Sequence, residues 1–375
     1  MCSGTLFDYA AYIVMQIQSL SVLNFRNLST LKLEQLNEFT AIVGPNGSGK
    51  TSFLESIYYL SRGRSLRTHL SHQMIEHHAD ALCIHATLSD SDGAQYTIGI
   101  ERRVTGQVRL RRNGEVCDSF SEITALLPVL LIDTDSHRVF ASGPKERRAR
   151  LDWGGFYHFN DFAQCWRHYK RALIQRNSAL KAKQQDVMHW DALLVESGLK
   201  LDQYRKQYLK RLEAVFRPIW ANIAKGLPCV EFQYVQGWDV SDSFDQALKL
   251  SRLGDQSVGF TRVGPHRADV LCEVDGHSAF HVLSQGQQKL MAYALSLAQG
   301  ALLQTDRQIE SIYLVDDLTA ELDRQRSSDV ISTLVESGMQ VFLTCIQPEV
   351  INESFATVFH PKVVDLSEYL GCVST

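Results

Sequence analysis

Phe39-Thr-Ala-Ile-Val-Gly-Pro-Asn-Gly-Ser-Gly-Lys-Thr51 is the stretch that decides the fold. Its first five residues are mostly apolar and β-branched, the pattern of a buried strand. The next eight, Gly44, Pro45, Asn46, Gly47, Ser48, Gly49, Lys50 and Thr51, fit G-x-x-x-x-G-K-[ST] without a mismatch. From Lys50 to Leu60 the apolar residues recur at helical spacing. Strand, glycine loop and helix in that order make a phosphate cradle. The glycines let backbone N–H groups approach phosphate oxygens, and the helix start adds the positive end of its dipole. Lys50 is placed to reach the β- and γ-phosphates of a nucleotide, and Thr51 to hold Mg²⁺.

Two later segments extend this reading. Ile312-Tyr-Leu-Val-Asp-Asp317 is an apolar strand that ends in two carboxylates. Many strands end in acids. Beside a phosphate cradle, however, Asp316 becomes the candidate ligand of Mg²⁺, and Asp317 the group that orients or deprotonates the attacking water. Leu283-Ser-Gln-Gly-Gln-Gln288 opens a helix. A serine at a helix start followed by glycine is common. Between a phosphate cradle and an acidic strand end, though, L-S-x-G-Q resembles the signature of the ATP-binding-cassette ATPases. Glu321 and Asp323 then stand where that superfamily has its dimer-facing loop. The resemblance implies ATP and Mg²⁺ as cofactors and a head-to-tail homodimer. In it, Ser284, Gly286 and Gln287 of one chain face the γ-phosphate held by Lys50 of the other.

Further segments resemble one branch, the bacterial RecF recombination-repair proteins. They are Asn24-Phe-Arg-Asn27, Gly143-Pro-Lys-Glu-Arg-Arg-Ala-Arg-Leu-Asp-Trp153, Lys170-Arg-Ala-Leu-Ile-Gln-Arg-Asn177 and Gly264-Pro-His-Arg-Ala-Asp269. With the nucleotide motifs they run in the family's order from residue 15 to about 350. The resemblance implies ATP-dependent dimerisation on DNA at single-strand gaps and slow hydrolysis. It also implies loading of the RecA recombinase together with RecR and RecO, and a part in SOS induction. Several positions depart from the pattern. Asp317 stands where transporters usually carry Glu, and its shorter side chain gives slow hydrolysis a local reason. No glutamine follows Pro128–Ile132, where Asp133-Thr-Asp-Ser136 stands instead. The switch histidine is missing, which leaves Thr344 as the γ-phosphate contact on its strand. Met15 looks like the family's usual start, so residues 1–14 read as an extension or a misassigned start. Two other functions fit the nucleotide motifs alone: a transporter cassette, and an ATP-switched scaffold that binds only protein. Asp317 in place of Glu and the 234-residue spacing from Lys50 to Ser284 disfavour the transporter.

The rest of the chain is consistent with an α/β fold: a P-loop ATP-binding-cassette head with an antiparallel β lobe and an inserted helical domain. The head is expected at 15–155 and 225–375, with the lobe at about 80–120, where apolar and polar residues alternate around Asn113-Gly114, a tight-turn signal. The helical arm is expected at 156–224 and to stop at Pro218. The longest apolar run, Leu126 to Ile132, is far shorter than the roughly 20 residues of a membrane span. Eight scattered cysteines without a C-x-x-C pair read as reduced thiols, which points to the cytosol.

The 375 residues carry 38 Lys or Arg and 42 Asp or Glu, net −4, a sum that disfavours a nucleic-acid partner. By position the picture changes. Between residues 145 and 183 there are ten Lys or Arg and three acids, net +7, while the remainder has 28 bases and 39 acids, net −11. Candidate contacts to duplex phosphates are Arg62, Arg64, Arg67, Arg102, Arg103, Arg147, Arg148, Lys170 and Arg171. Such runs are more often solvated faces. His69, His72, His77 and His78 have the spacing of a metal site but no cysteine or third anchor nearby. Trp166 and Tyr169 read as arm packing.

Overall fold

The computed structural model describes residues 15–68, 70–133, 143–183, 187–318, 322–346 and 361–370. Residues 1–14, His69, residues 134–136 and Glu321 lie outside the described residues. The chain forms two compact units: residues 1–136 with 292–375, and residues 137–291.

In the first unit, an antiparallel sheet is built from β1 (Gln16–Phe25), β2 (Leu28–Leu33), β4 (Ala81–Ser89), β5 (Gln95–Arg103), β6 (Val108–Arg112) and β7 (Glu115–Cys117), in the order β2-β1-β4-β5-β6-β7. One face is apolar: Leu82, Ile84, Ala86 and Leu88 are buried along β4 while the residues between them are not. Asn113 and Gly114, both at positive φ, make the two-residue turn that pairs Arg112 with Glu115.

The second sheet of this unit is wholly parallel. Its order is β14 (Lys362–Asp365), β3 (Phe39–Val43), β13 (Val341–Cys345), β12 (Ile312–Val315), β8 (Val129–Ile132). Every residue of β12 and β13 is buried, as expected of strands covered on both faces. Helix α1 (Lys50–Arg62) follows β3 and packs Phe53 edge-on against Phe342. The Gln340 amide joins the two sheets by accepting from Ile17 N at 2.8 Å and donating to Ile17 O at 2.9 Å, so it imitates a strand neighbour. The unit also contains α2 (Phe120–Leu126), α9 (Arg324–Glu336) and α10 (Ser367–Leu370).

The second unit contains α3 (Pro144–His158), α4 (Phe162–Lys181), α5 (Met188–Ile223), α6 (Phe244–Val258) and α7 (Ala279–Val282). It also holds a three-stranded antiparallel sheet in the order β11 (His277–Ser278), β10 (Asp269–Val274), β9 (Glu231–Val235). Helix α8 (Gln285–Arg307) begins here and ends in the first unit. Phe162, Tyr169, Leu194, Leu201, Phe244 and Leu248 form its core, so the Trp166–Tyr169 stripe is packing.

Two expectations are corrected. The second unit is wider than the 156–224 arm, because α6 and the small sheet pack on α5 and α3 instead of joining the parallel sheet. Helix α5 also runs straight through Pro218. The ring removes one N–H and its backbone bond, but Phe216 and Trp220, on either side of it, stack at 5.8 Å and are buried. Trp220 Nε1 also donates to Pro228 O at 2.9 Å. That packing holds the last turns helical.

Loop residues 259–267 lie along α4. Asn177 Oδ1 accepts from Thr261 N at 2.8 Å. His266 Nε2 lies 2.9 Å from Thr261 O, which can only accept, so Nε2 carries the proton and Nδ1 accepts from Tyr169 Oη at 2.6 Å. Burial pushes the His266 imidazole down to about 4, and the neighbouring Arg267 and Arg148 charges act in the same direction. A base whose folded pKa lies below its unfolded value stabilises fully above the unfolded pKa, about 6.5, and loses that contribution as pH falls toward 4. His266→Gln keeps a donor and an acceptor but does not titrate. Wild type should lose about 3 kcal/mol more than His266→Gln between pH 7 and pH 4, read from urea midpoints. Parallel pH profiles for the two proteins would refute the locked neutral imidazole.

Candidate functional site: a phosphate cradle beside an acidic pair

The glycine loop leaves the C-terminal end of β3 and turns into α1. Gly49, the residue before α1, has φ +90°, and a Cβ there would come within 2.6 Å of Leu28 Cδ2. Only glycine suits both constraints. Gly47, at φ +84°, has open space where its side chain would be. Its carbonyl accepts from Asn27 Nδ2 at 2.8 Å, and Asn27 Oδ1 accepts from Ser52 Oγ at 2.7 Å. Asn27 thus braces the loop against the first turn of α1. Lys50 is almost fully buried, and its Nζ donates to Gly44 O at 2.7 Å and Pro45 O at 3.0 Å. Ser48 Oγ is buried and has no hydrogen-bond partner among the described residues.

Sheet order brings the acidic pair to this loop. β12 is separated from β3 by β13 alone, and all three are parallel, so their C-terminal ends share one edge. Thr51 Oγ1 lies 3.4 Å from Asp316 Oδ1. Thr344, at the end of β13, stands between them. Its hydroxyl donates to Asp316 Oδ1 at 2.6 Å and accepts from Asp317 N at 3.0 Å. It is therefore bonded to the acidic pair instead of standing as a spare phosphate contact. Asp317 has φ +54°. Burial raises its proton affinity, the adjacent Asp316 charge raises it further, and Lys50 opposes both.

An open cleft of about 760 Å³ lies over these groups, lined by Asn46, Gly47, Lys50, Thr51, Asp316 and Asp317 together with Arg26, Arg67 and Ile75. Arg26 holds the buried Glu55 carboxylate with both prongs, at 3.0 and 2.8 Å, and reaches Gln73 O at 3.0 Å. Sequence reasoning assigned no role to Arg26 or Asn27. Their signal was the Asn24-Phe-Arg-Asn27 turn, where Asn24 and Arg26 take positive φ.

Thr51 and Asp316 offer two hard oxygens at one place, a donor set that suits Mg²⁺. The orphaned Ser48 hydroxyl and the loop's N–H groups at a helix start suit phosphate oxygens. Among the described residues no cluster of three His, Cys, Asp or Glu forms, and the His72, His77 and His78 segment makes no metal site.

The signature residues are locally a capping box: Ser284 N donates to Gln287 Oε1 at 2.8 Å, and Gln287 N donates to Ser284 Oγ at 3.4 Å. Gly286 follows in the first turn of α8, with open space where a side chain would be. Asp323 caps α9 by accepting from Arg326 N at 2.9 Å.

The candidate basic contacts divide into two groups. Arg62 donates to Val129 O at 2.9 Å, Arg102 to Tyr59 Oη at 3.0 Å and Arg148 to Ala268 O at 2.7 Å, while Arg147 forks onto Asp269 at 2.7 and 2.8 Å. These four are partly buried and engaged within the fold. Arg64, Arg67, Arg103, Lys170 and Arg171 are exposed, with Arg103 paired to Glu101 and Lys170 over the Trp166 ring. No helix among the described residues is long and apolar enough to cross a membrane.

Residues 16–363 match the family profile of the RecF/RecN/SMC N terminal domain. The DNA replication and repair protein RecF of Shewanella halifaxensis is 38% identical over 96% of this chain and 98% of its own length. That of Coxiella burnetii (strain RSA 493 / Nine Mile phase I) is 40% identical over 92% of this chain and 97% of its own length. The solved structure of the recombination mediator protein RecF-ATP of the RecFOR pathway superimposes with a TM-score of 0.82 at 26% identity, covering 90% of this chain and 93% of that one. An Smc head domain from Pyrococcus furiosus, at 16% identity and a TM-score of 0.55, shares the fold. By its sequence along almost its whole length, and by its mixed α/β architecture, this chain belongs to the RecF family.

Proposed function

We propose that the chain acts in DNA replication and repair as an ATP-binding protein with a weak ATPase activity. Family membership supports the role, and the juxtaposition of the Lys50 loop with Asp316 and Asp317 across β13 carries the nucleotide reading. The glycine loop and Lys50 would hold the phosphates of ATP, and Thr51 with Asp316 would hold Mg²⁺. The metal, when bound, would screen the phosphate charge and polarise the terminal phosphoryl group. Asp317, with its raised proton affinity, would orient the attacking water and take its proton. It is one methylene shorter than glutamate, which supports slow turnover. Ser284, Gly286 and Gln287 of a second copy would complete the site and Glu321 and Asp323 would face it, so ATP would favour a closed homodimer and hydrolysis would open it. In this reading the dimer acts at single-strand gaps, works with RecR and RecO to load RecA, and so contributes to SOS induction.

The DNA surface we infer is the outer face of α4. Phe162–Lys181 contains no Asp or Glu, and Arg167, Lys170, Arg171 and Lys181 are all exposed on it. The loop laid along α4 adds Arg267, exposed and packed over the Phe260 ring. From residue 167 to 181 the face is about 20 Å long, enough to follow several phosphates. Replacing Arg167, Arg171 and Lys181 together by Glu should weaken binding to gapped duplex by at least about tenfold and flatten its salt dependence. Gel shifts at several salt concentrations give the answer. Wild-type affinity in the triple variant would place the DNA elsewhere.

A further inference from the structure

Thr344 has a role that neither its residue type nor its motif context announces. It is fully buried at the end of β13, the strand between the cradle strand β3 and the acidic strand β12. A hydroxyl has one proton to give. Here Asp316 Oδ1 takes it at 2.6 Å, and the oxygen's lone pair receives the N–H of Asp317 at 3.0 Å. The same Asp316 oxygen lies 3.4 Å from Thr51 Oγ1. Asp317 meanwhile holds φ +54°, a backbone conformation that L side chains rarely adopt without support.

We propose that Thr344 is the positioning residue of the acidic pair: one hydroxyl aims the Asp316 carboxylate at Thr51 and pins the Asp317 backbone in its left-handed turn. Both carboxylates then depend on a single buried oxygen, so displacement of one is felt by the other. The hydroxyl has no proton left for phosphate. Thr344 therefore acts on nucleotide through Asp316 and Asp317, not by contact. Valine has the same shape without the hydroxyl, and serine keeps the hydroxyl without the methyl. The pair separates hydrogen bonding from packing.

This inference rests on the nucleotide reading above, and the experiment keeps the two apart. Labelled ATP is titrated into wild type, Thr344→Val and Thr344→Ser with and without Mg²⁺. Turnover is measured alongside, and amide hydrogen exchange at Asp317 is followed in the nucleotide-free proteins. In Thr344→Val, binding without Mg²⁺ should stay within about threefold of wild type. The tightening produced by Mg²⁺ and kcat should each fall by about tenfold or more, as for loss of a partner that orients a metal ligand. KM measured at saturating Mg²⁺ should change less than kcat. Asp317 exchange should accelerate in Thr344→Val and return to the wild-type rate in Thr344→Ser, along with most of the activity. Wild-type Mg²⁺ response and wild-type Asp317 exchange in Thr344→Val would overturn the proposal. So would a Thr344→Ser protein as impaired as Thr344→Val, which would assign the effect to shape. If Thr344→Val does not fold, Thr344→Ala takes its place in the same comparison. A wild type that binds no ATP would overturn the nucleotide reading instead, and the exchange measurement would still decide whether Thr344 pins Asp317.

Discussion

Lys50→Ala should bind ATP about a hundredfold or more weakly than wild type. The ammonium is nearly buried in the loop, where Gly44 O and Pro45 O hold it at 2.7 and 3.0 Å. In the proposed nucleotide complex it would exchange carbonyl partners for charged oxygens. Hydrogen bonds between charged groups contribute about 1.5–3 kcal/mol each, so losing two removes roughly 3–6 kcal/mol, a factor of about 10² to 10⁴. The fold should lose only a modest amount of stability: Gly44 O gives up a buried bond, while Pro45 is exposed and its carbonyl can turn to water. Titration with a fluorescent ATP analogue gives the affinity, and thermal melting without nucleotide should place the two proteins within a few degrees. Equal affinity would mean that the loop does not hold phosphate.

Asp255→Ala should destabilise the second unit by about 3–5 kcal/mol, the cost of breaking a buried pair. Arg176 and Asp255 are both fully buried and joined at 2.8 Å. Arg176 also bonds Asp191 at 2.7 Å and Thr261 at 2.8 Å, while its Nη2 has no partner among the described residues. Asp255 further accepts from Ser251 Oγ at 3.1 Å and from Arg262 N at 3.1 Å. Removing the carboxylate leaves a buried guanidinium short of charge and the 259–267 loop short of an anchor. The double variant Arg176→Met, Asp255→Leu removes both charges and should recover more than half of the loss. Urea unfolding followed by intrinsic Trp fluorescence compares the three proteins. A loss below about 1 kcal/mol in Asp255→Ala would show that the network contributes little.

What the sequence made legible was local. Gly44–Thr51, the apolar strands before Gly44 and Asp316, the alternation from Ala81 to Cys117 and the Asn113-Gly114 turn all obey short-range rules, and the structure contains them. Capping at Ser284 and Asp323 was also within reach of local reading. What escaped was set by distant partners. Pro218 reads as a helix stop because its own ring is the local fact, whereas the burial of Phe216 and Trp220 that carries α5 past it is tertiary. Arg147 read as a candidate phosphate contact and Arg176 counted in the basic 145–183 stretch, although their carboxylates lie 15 to 122 residues away along the chain. Thr344 looked like a phosphate contact because strand order, which places β13 between β3 and β12, has no short-range signature.

The central claim is that nucleotide held at the Lys50 loop brings two chains together through Ser284, Gly286 and Gln287. Light scattering on the purified protein tests it directly. Addition of ATP and Mg²⁺ should raise the measured mass from the 42.4 kDa of one chain to twice that value in wild type but not in Lys50→Ala. A wild-type mass that is the same with and without ATP, at protein concentrations where nucleotide is demonstrably bound, would contradict it.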